Sequence, residues 1–202
     1  MVALQNSGIE NGVLREIQGG SASDMILICH IATGIVQAKH AASVSSSADR
    51  TVATCISQYC VYLLKAAPEL LPDDKAWSKK RYKAVSEEID HLHSLHPSRK
   101  SVDYDQMDYA QMIELLSESS DQHEVVKNGV RLGKQLVEQQ DAETVWGVLA
   151  RLWSEMILYV APSDNLKAHK ESIARGGELL TLIWVLLNNA GIISRPGIRT
   201  AA

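Results

Sequence analysis

Two apolar segments near the C-terminus decide the fold: WGVLARLWSEMILYV at residues 146–160 and ARGGELLTLIWVLLNNAG at residues 174–191. Both place large apolar residues at intervals of three and four, which is typical of helices that pack against a core. Asp141 is a good cap for the helix that contains the first of these segments. The pattern predicts a second helix from Asp164 to Asn189, and Gly191 after it is a typical helix stop. The main stripe of the first helix consists of Trp146, Leu149, Trp153, Met156 and Val160.

The same helical spacing recurs upstream, and alternation typical of strands does not. We therefore predict an all-α fold, a single compact bundle of about seven helices in which the last two form the apolar centre. Residues 1–21 are predicted to be a flexible leader, residues 22–191 the helical domain and residues 192–202 a C-terminal tail. The predicted helices span about 25–41, 49–67, 77–95, 109–116, 124–140, 142–160 and 164–189. The expected cap of the first of these is Ser23 or Asp24.

Composition excludes several classes of protein. A net charge of -4 with a pI near 6.0 does not suit binding to nucleic acid, which needs a clustered basic face. The longest apolar runs, Met25–Val36 and Leu179–Leu187, are shorter than the ~20 residues of a transmembrane helix. The N-terminus lacks the features of a signal peptide. The three cysteines lack the spacing of a metal site, and a reducing compartment such as the cytoplasm is expected.

Four polar residues lie within the most apolar blocks of the sequence: His30, Glu155, His169 and Glu178. Two histidines and two carboxylates could bind a divalent metal ion, or act as acid and base. Their spacing matches no metalloprotease motif. The alternative, which we favour, is that the two glutamates pair with Arg151, Arg175 or a backbone group and fix the register of the helices.

Two shorter motifs also resemble ion-binding sequences. In HLHSLH at residues 91–96, His93 and His96 are three residues apart, but no cysteine or carboxylate accompanies them. In DYDQMD at residues 103–108, Met107 stands where a calcium loop has an oxygen ligand, and Asp108 where it has glycine. We expect no metal and no cofactor at either motif.

Two pairs of glycines indicate close packing of helices. Gly129 and Gly133 share one face of a predicted helix, where each costs about 1 kcal/mol relative to alanine. Close approach of another helix would explain them. Gly176 and Gly177 are predicted to lie within the last helix, or at a slight kink in it, and to serve the same purpose, so that Gly176→Leu would unfold the domain. The expected neighbours are the other glycine pair or the first helix at Gly34.

Several motifs together resemble a known family. They are ICHIAT at 28–33, SQYCVYLL at 57–64, PELLP at 68–72, GVRLG at 129–133, the 146–159 segment, and His169 followed by RGGELLT at 175–181 and Trp184. From about residue 25 to 191, the chain resembles the plant family catalogued as domain of unknown function 594. The resemblance implies a C-terminal domain whose preceding half is similar to a membrane region, domain of unknown function 4220. It implies no activity.

These observations favour a non-enzymatic helical module for protein interaction or regulation. Its partner would be another protein or another part of its parent protein, and membrane association would arise only through a partner. The candidate contact surfaces are Trp77–Arg81 and the loop near Tyr104–Tyr109. The alternative is an enzyme or metal-binding protein with a buried His/Glu site between the first, sixth and seventh predicted helices. A third possibility is a lipid or small molecule bound between apolar helices.

Overall fold

The computed structural model describes residues 2–5, 19–41, 47–94, 109–117, 123–139 and 141–193. Within these ranges every regular element is helical, which confirms the all-α prediction. The helices are α1 (Val2–Gln5), α2 (Ala22–Lys39), α3 (Ala48–Ala66), α4 (Lys75–Ser94), α5 (Tyr109–Ser117), α6 (Glu124–Gln139), α7 (Ala142–Val160), α8 (Leu166–Ala174) and α9 (Leu179–Asn189). A short 3-10 turn, Pro68–Leu70, follows α3.

Helix α2 is central to the bundle and packs against α6, α3, α5, α4 and α7. It begins with a capping box in which the Ser21 hydroxyl accepts from the Asp24 amide and the Asp24 carboxylate accepts from the Ser21 amide. The cap is therefore Ser21, and the expectation of Ser23 or Asp24 is wrong. In addition, the Asp73 carboxylate accepts hydrogen bonds from the amides of Ala22 and Ser23 at 3.2 and 2.7 Å. Both free amides of the first turn are therefore satisfied.

Helix α7 provides the second buried wall of the core. Trp153 is fully buried and donates its indole N–H to Thr33 Oγ1 of α2 at 3.0 Å. Thr33 in turn donates to the Cys29 carbonyl at 2.7 Å. A buried tryptophan needs such a partner, because an unpaired indole N–H would lose its hydration without compensation.

Residues 2–5, expected to belong to the flexible leader, form α1, which packs against α7. Leu4 is fully buried there. Met1 and residues 6–18 of that leader, and the tail from residue 194, lie outside the described residues.

The helix predicted from Asp164 to Asn189 is wrong, because the chain forms two helices, α8 and α9. Gly176 and Gly177 have φ angles of +109° and +83°, which only glycine adopts readily. The Gly177 amide donates to the Ser172 carbonyl at 2.8 Å, and the Gly176 amide to the Ile173 carbonyl at 3.1 Å. These two bonds form a Schellman motif, which ends α8.

The helices expected to form the apolar centre differ in burial. Helix α7 is buried along its main stripe, whereas α9 fully buries only Leu180 and Thr181. In the described part of the chain, no helix combines the length and the apolarity needed to cross a membrane.

Candidate functional site

The His/Glu site expected between the first, sixth and seventh predicted helices is not assembled. His30 Nδ1 lies 2.8 Å from the Ser57 hydroxyl, between α2 and α3. Glu155 Oε1 accepts a hydrogen bond from the Ala3 amide at 3.0 Å, which ties α1 to α7. Among the described residues, no three histidine, cysteine, aspartate or glutamate side chains come close enough together to hold a metal ion.

His169 instead joins α8 to α9. Its ring is fully buried and stacks on Trp184, with 4.2 Å between ring centroids and 7° between the planes. His169 Nδ1 lies 3.0 Å from Thr181 Oγ1, and the Thr181 hydroxyl donates to Ser172 Oγ at 3.1 Å. Because Thr181 donates elsewhere, it accepts from Nδ1–H, which leaves Nε2 as the bare nitrogen. Burial lowers the pKa of His169, so the neutral ring is the form that fits this contact.

Within the described part of the chain, His169 Nε2 is buried and has no hydrogen-bond partner. A neutral imidazole can leave one nitrogen unpaired at a moderate cost, whereas an imidazolium would place an unpaired charged donor there. The contact between α8 and α9 is therefore more stable at neutral pH, where the His169 ring is uncharged, than in acid.

Glu178 anchors the start of α9 on α3. Its carboxylate accepts hydrogen bonds from the hydroxyls of Tyr62 at 2.9 Å and Tyr59 at 3.2 Å. The Tyr59 oxygen also accepts from the Leu180 amide at 2.9 Å. Burial raises the pKa of Tyr59, which keeps its hydroxyl protonated and able to donate. Glu178 thus has a positioning role.

The two glycine pairs have different surroundings. A Cβ atom added to Gly129 would lie 2.7 Å from Ile31 Cβ, and one added to Gly133 would lie 2.9 Å from Ile35 Cβ. Helices α6 and α2 therefore approach each other closely at these two glycines. A Cβ atom at Gly176 or Gly177 would meet nothing within 4 Å. The expectation of close packing at that second pair is wrong, because those glycines provide the turn that ends α8.

The outer side of α9 is an exposed apolar surface. Leu179, Leu182 and Leu186 are 47%, 57% and 60% exposed, and their spacing places them on one helix face. Ile192 and Ile193 follow and are 48% and 63% exposed. From residue 179 to 193 the sequence has no ionisable side chain. We call these five residues the α9 face; grouped exposed apolar residues of this kind mark interaction sites.

A cleft opens where α2, α3 and α5 meet. Two cavities of about 110 and 150 Å³ adjoin there and share His30, Gly34 and Met112 in their walls. We call them together the Gly34 cleft. The cleft could not be predicted from the sequence, because its walls come from helices that are distant along the chain. Its one local signal is a glycine within an otherwise apolar helix.

The first predicted contact surface is partly used within the fold. Arg81 Nε lies 2.6 Å from Asp24 Oδ1, and its guanidinium group lies 5.2 Å from the centre of the Trp77 ring. Trp77 is 43% exposed.

The second contact surface is described only at its end. Residues 104–108 lie outside the described residues, and so do the side chains of His93 and His96 and the 103–108 motif. Tyr109 is described, and the Lys39 ammonium lies 4.9 Å from the centre of its ring.

Comparison with known proteins finds a similarity that covers the C-terminal part of the chain. The family profile described as "Protein of unknown function, DUF594" matches residues 138–192. No curated protein and no solved structure matches the chain. The matched segment contains the last two residues of α6 and all of α7, α8 and α9. The resemblance upstream of residue 138, the plant origin and the adjoining membrane region stay predictions. Over residues 138–192 this chain is therefore similar to the DUF594 family of proteins of unknown function.

Proposed function

We propose that this chain is a non-enzymatic helical interaction module that assembles through the α9 face, with a second copy of the chain as its partner. The observation that carries the proposal is the exposure of three leucines on one side of a helix without ionisable residues. Burying the exposed half of three leucines would contribute about 3 kcal/mol per copy.

The absence of charge on the α9 face supports a second copy in particular. When a surface meets itself across a twofold axis, a charged group close to the axis approaches its own equivalent, so charge at the centre of such a face repels its copy. Residues 179–193 include no ionisable side chain, so such repulsion does not arise within the α9 face. Two α9 helices packed antiparallel would also oppose their helix dipoles favourably. Homodimer interfaces are in addition more apolar than those of transient complexes.

The ends of α9 are suited to a fixed docking surface. Tyr59 and Glu178 hold its first turn on α3, and His169 and Trp184 hold its inner side on α8. After its last turn Gly191, with φ of +78°, directs the chain back, and the Ile192 amide donates to the Leu187 carbonyl at 2.9 Å. The leucines are thus presented by a rigid helix, which lowers the entropy lost on association.

Sedimentation velocity of the full chain tests the proposal. We expect a monomer–dimer equilibrium with a Kd on the order of micromolar. Leu182→Asp and Leu186→Asp should each weaken it by at least ~10-fold, because two copies then bring carboxylates into an apolar interface. The matched control is Leu158→Asp on α7, since Leu158 is 51% exposed and lies outside the α9 face. Circular dichroism should show unchanged helicity in all three variants.

Three results would overturn the proposal. The first is a wild-type chain that stays monomeric throughout the concentration series. The second is equal dissociation by Leu158→Asp and Leu182→Asp, which would place the interface elsewhere. The third is a monomer that binds phosphatidylcholine vesicles in flotation, which would make the α9 face a lipid-binding surface.

A further inference from the structure

We propose that the Gly34 cleft is a binding site for a small neutral molecule with an apolar body and one hydrogen-bonding group. The inference does not depend on the α9 face, which belongs to different helices. The two adjoining cavities, of about 110 and 150 Å³, are together open to one ligand of this kind. For scale, an apolar protein cavity of about 150 Å³ is large enough to bind benzene.

Gly34 is the first argument for the site. A Cβ atom added to this residue would meet nothing within 4 Å. In this it differs from Gly129 and Gly133, whose missing side chains let α2 and α6 approach each other. A glycine inside a helix destabilises it relative to alanine. Packing of the protein does not require glycine at position 34, and what the glycine provides is space in the cleft.

The two sides of the cleft differ in polarity. The polar side includes Thr54 and the pair formed by His30 Nδ1 and the Ser57 hydroxyl, which lie 2.8 Å apart. The apolar side is formed by Ile31, Ile89, Met112 and Leu116. Ligand sites in proteins typically combine apolar walls with a few polar groups that orient the ligand. Methionine, as at position 112, adapts its shape to a bound molecule.

Charge determines the class of ligand. None of the described residues that line the two cavities is an aspartate, glutamate, lysine or arginine. A carboxylate or ammonium group in the cleft would lose hydration without gaining an opposite charge. Hydroxyl, amide and imidazole groups on the polar side suit a neutral alcohol, amide or carbonyl compound instead.

Three probes of matched shape test the class of ligand in the full chain: benzyl alcohol, benzoate and benzylamine. In two-dimensional amide NMR titrations, benzyl alcohol should give saturable shifts at His30, Gly34 and Met112. Benzoate and benzylamine should bind at least ~10-fold more weakly, as expected when a charged group is desolvated without a partner.

Variants at Gly34 test the location. Gly34→Leu should fill the cleft and abolish saturable binding of benzyl alcohol, while Gly34→Ala should weaken it and raise Tm by ~2–4 °C. Gly147→Ala on α7 is the matched control, because its added Cβ would make only an ordinary contact, 3.6 Å from Asp49 Oδ2. It should bind benzyl alcohol as the wild type does.

Four results would overturn the inference. The first is the absence of saturable shifts with benzyl alcohol up to its solubility limit, and the second is saturable shifts at residues away from the cleft. The third is binding of benzyl alcohol by folded Gly34→Leu and Gly34→Ala with the affinity of the wild type. Finally, nuclear Overhauser contacts from residues 95–108 to Met112, without probe binding, would make the chain itself the occupant.

Discussion

Replacing Gly129 with alanine should destabilise the fold, whereas the same change at Gly34 should stabilise it. The new Cβ at position 129 would lie 2.7 Å from Ile31 Cβ and 3.2 Å from the Ile28 carbonyl oxygen. Both atoms are fixed to the α2 backbone, so rotation of a side chain cannot remove the overlap. Helices α2 and α6 would have to separate.

The magnitude follows from two opposing effects. Overpacking a core typically costs about 1–3 kcal/mol, and the upper end of that range applies here because backbone atoms must move. Alanine in place of glycine returns about 1 kcal/mol of helix propensity. The net change at Gly129 is therefore a loss of about 2 kcal/mol, and at Gly34 a gain of about 1 kcal/mol. For a chain of this size these correspond to Tm changes of about -6 and +3 °C.

Urea unfolding followed by circular dichroism measures both changes. The m-values should match that of the wild type, since the area exposed on unfolding stays the same. Gly133→Ala should fall between the two, because part of its overlap is with Ile35 Cδ1 at 2.8 Å, the mobile end of the side chain. Wild-type stability of Gly129→Ala would refute the reasoning, since α2 and α6 would then have room that the structure does not give them.

Three further perturbations address the α8–α9 turn, the buried histidine and the cysteines. Gly176→Ala should cost about 1–2 kcal/mol without unfolding the domain, because its φ of +109° is strained for alanine but no atom obstructs the Cβ; an unchanged thermal melt would contradict this. Burial lowers the pKa of His169 from 6.5, so below that pH the unfolded chain binds a proton that the folded chain does not, and stability falls on acidification. His169→Asn should reduce this fall between about pH 7 and pH 5, and equal slopes of urea midpoint against pH would argue against it. Cys55 is exposed, whereas burial raises the pKa of Cys29 and Cys60 to about 12. A thiol reagent should therefore modify one cysteine rapidly and all three only in denaturant. Rapid modification of two thiols in the folded chain would be inconsistent with this burial.

Most helices could be predicted because their signals are local. The spacing of apolar residues and the Asp141 cap placed α7 correctly, and the predicted range 124–140 differs from α6 by one residue. The cap of α2 was missed by two residues. The capping box of Ser21 and Asp24 is itself a local signal, whereas Asp73, which binds the amides of Ala22 and Ser23, lies about fifty residues away along the chain.

The break between α8 and α9 had a signal in the sequence that apolar spacing concealed. Ile173 and Leu180 are in phase on a continuous helix, and this favoured a single helix through Gly176 and Gly177. Two adjacent glycines would have cost such a helix about 2 kcal/mol. Glycine after a helix forms a Schellman motif readily. The cost of two glycines inside a helix, set against the ease of a Schellman motif, predicts a turn at this position.

The partners of the polar residues could not be predicted from spacing. Glu178 binds Tyr59 and Tyr62, more than a hundred residues earlier, and only the tertiary fold brings them together. Local pattern shows that a polar residue is surrounded by apolar ones. It does not show whether two such residues meet, and here His30 and His169 contact different helices.

The segment similar to the DUF594 family contains both a buried and an exposed apolar helix surface. Helix α7 packs against α3 and α2, which lie outside residues 138–192, and Trp153 donates its hydrogen bond to Thr33 of α2. Cut out alone, the matched segment would expose that tryptophan and leave its N–H without this partner. Helix α9, in contrast, directs its leucines away from the rest of the chain. The matched segment is therefore a structural part of a larger bundle, and α9 is the helix through which we propose that it contacts a second copy.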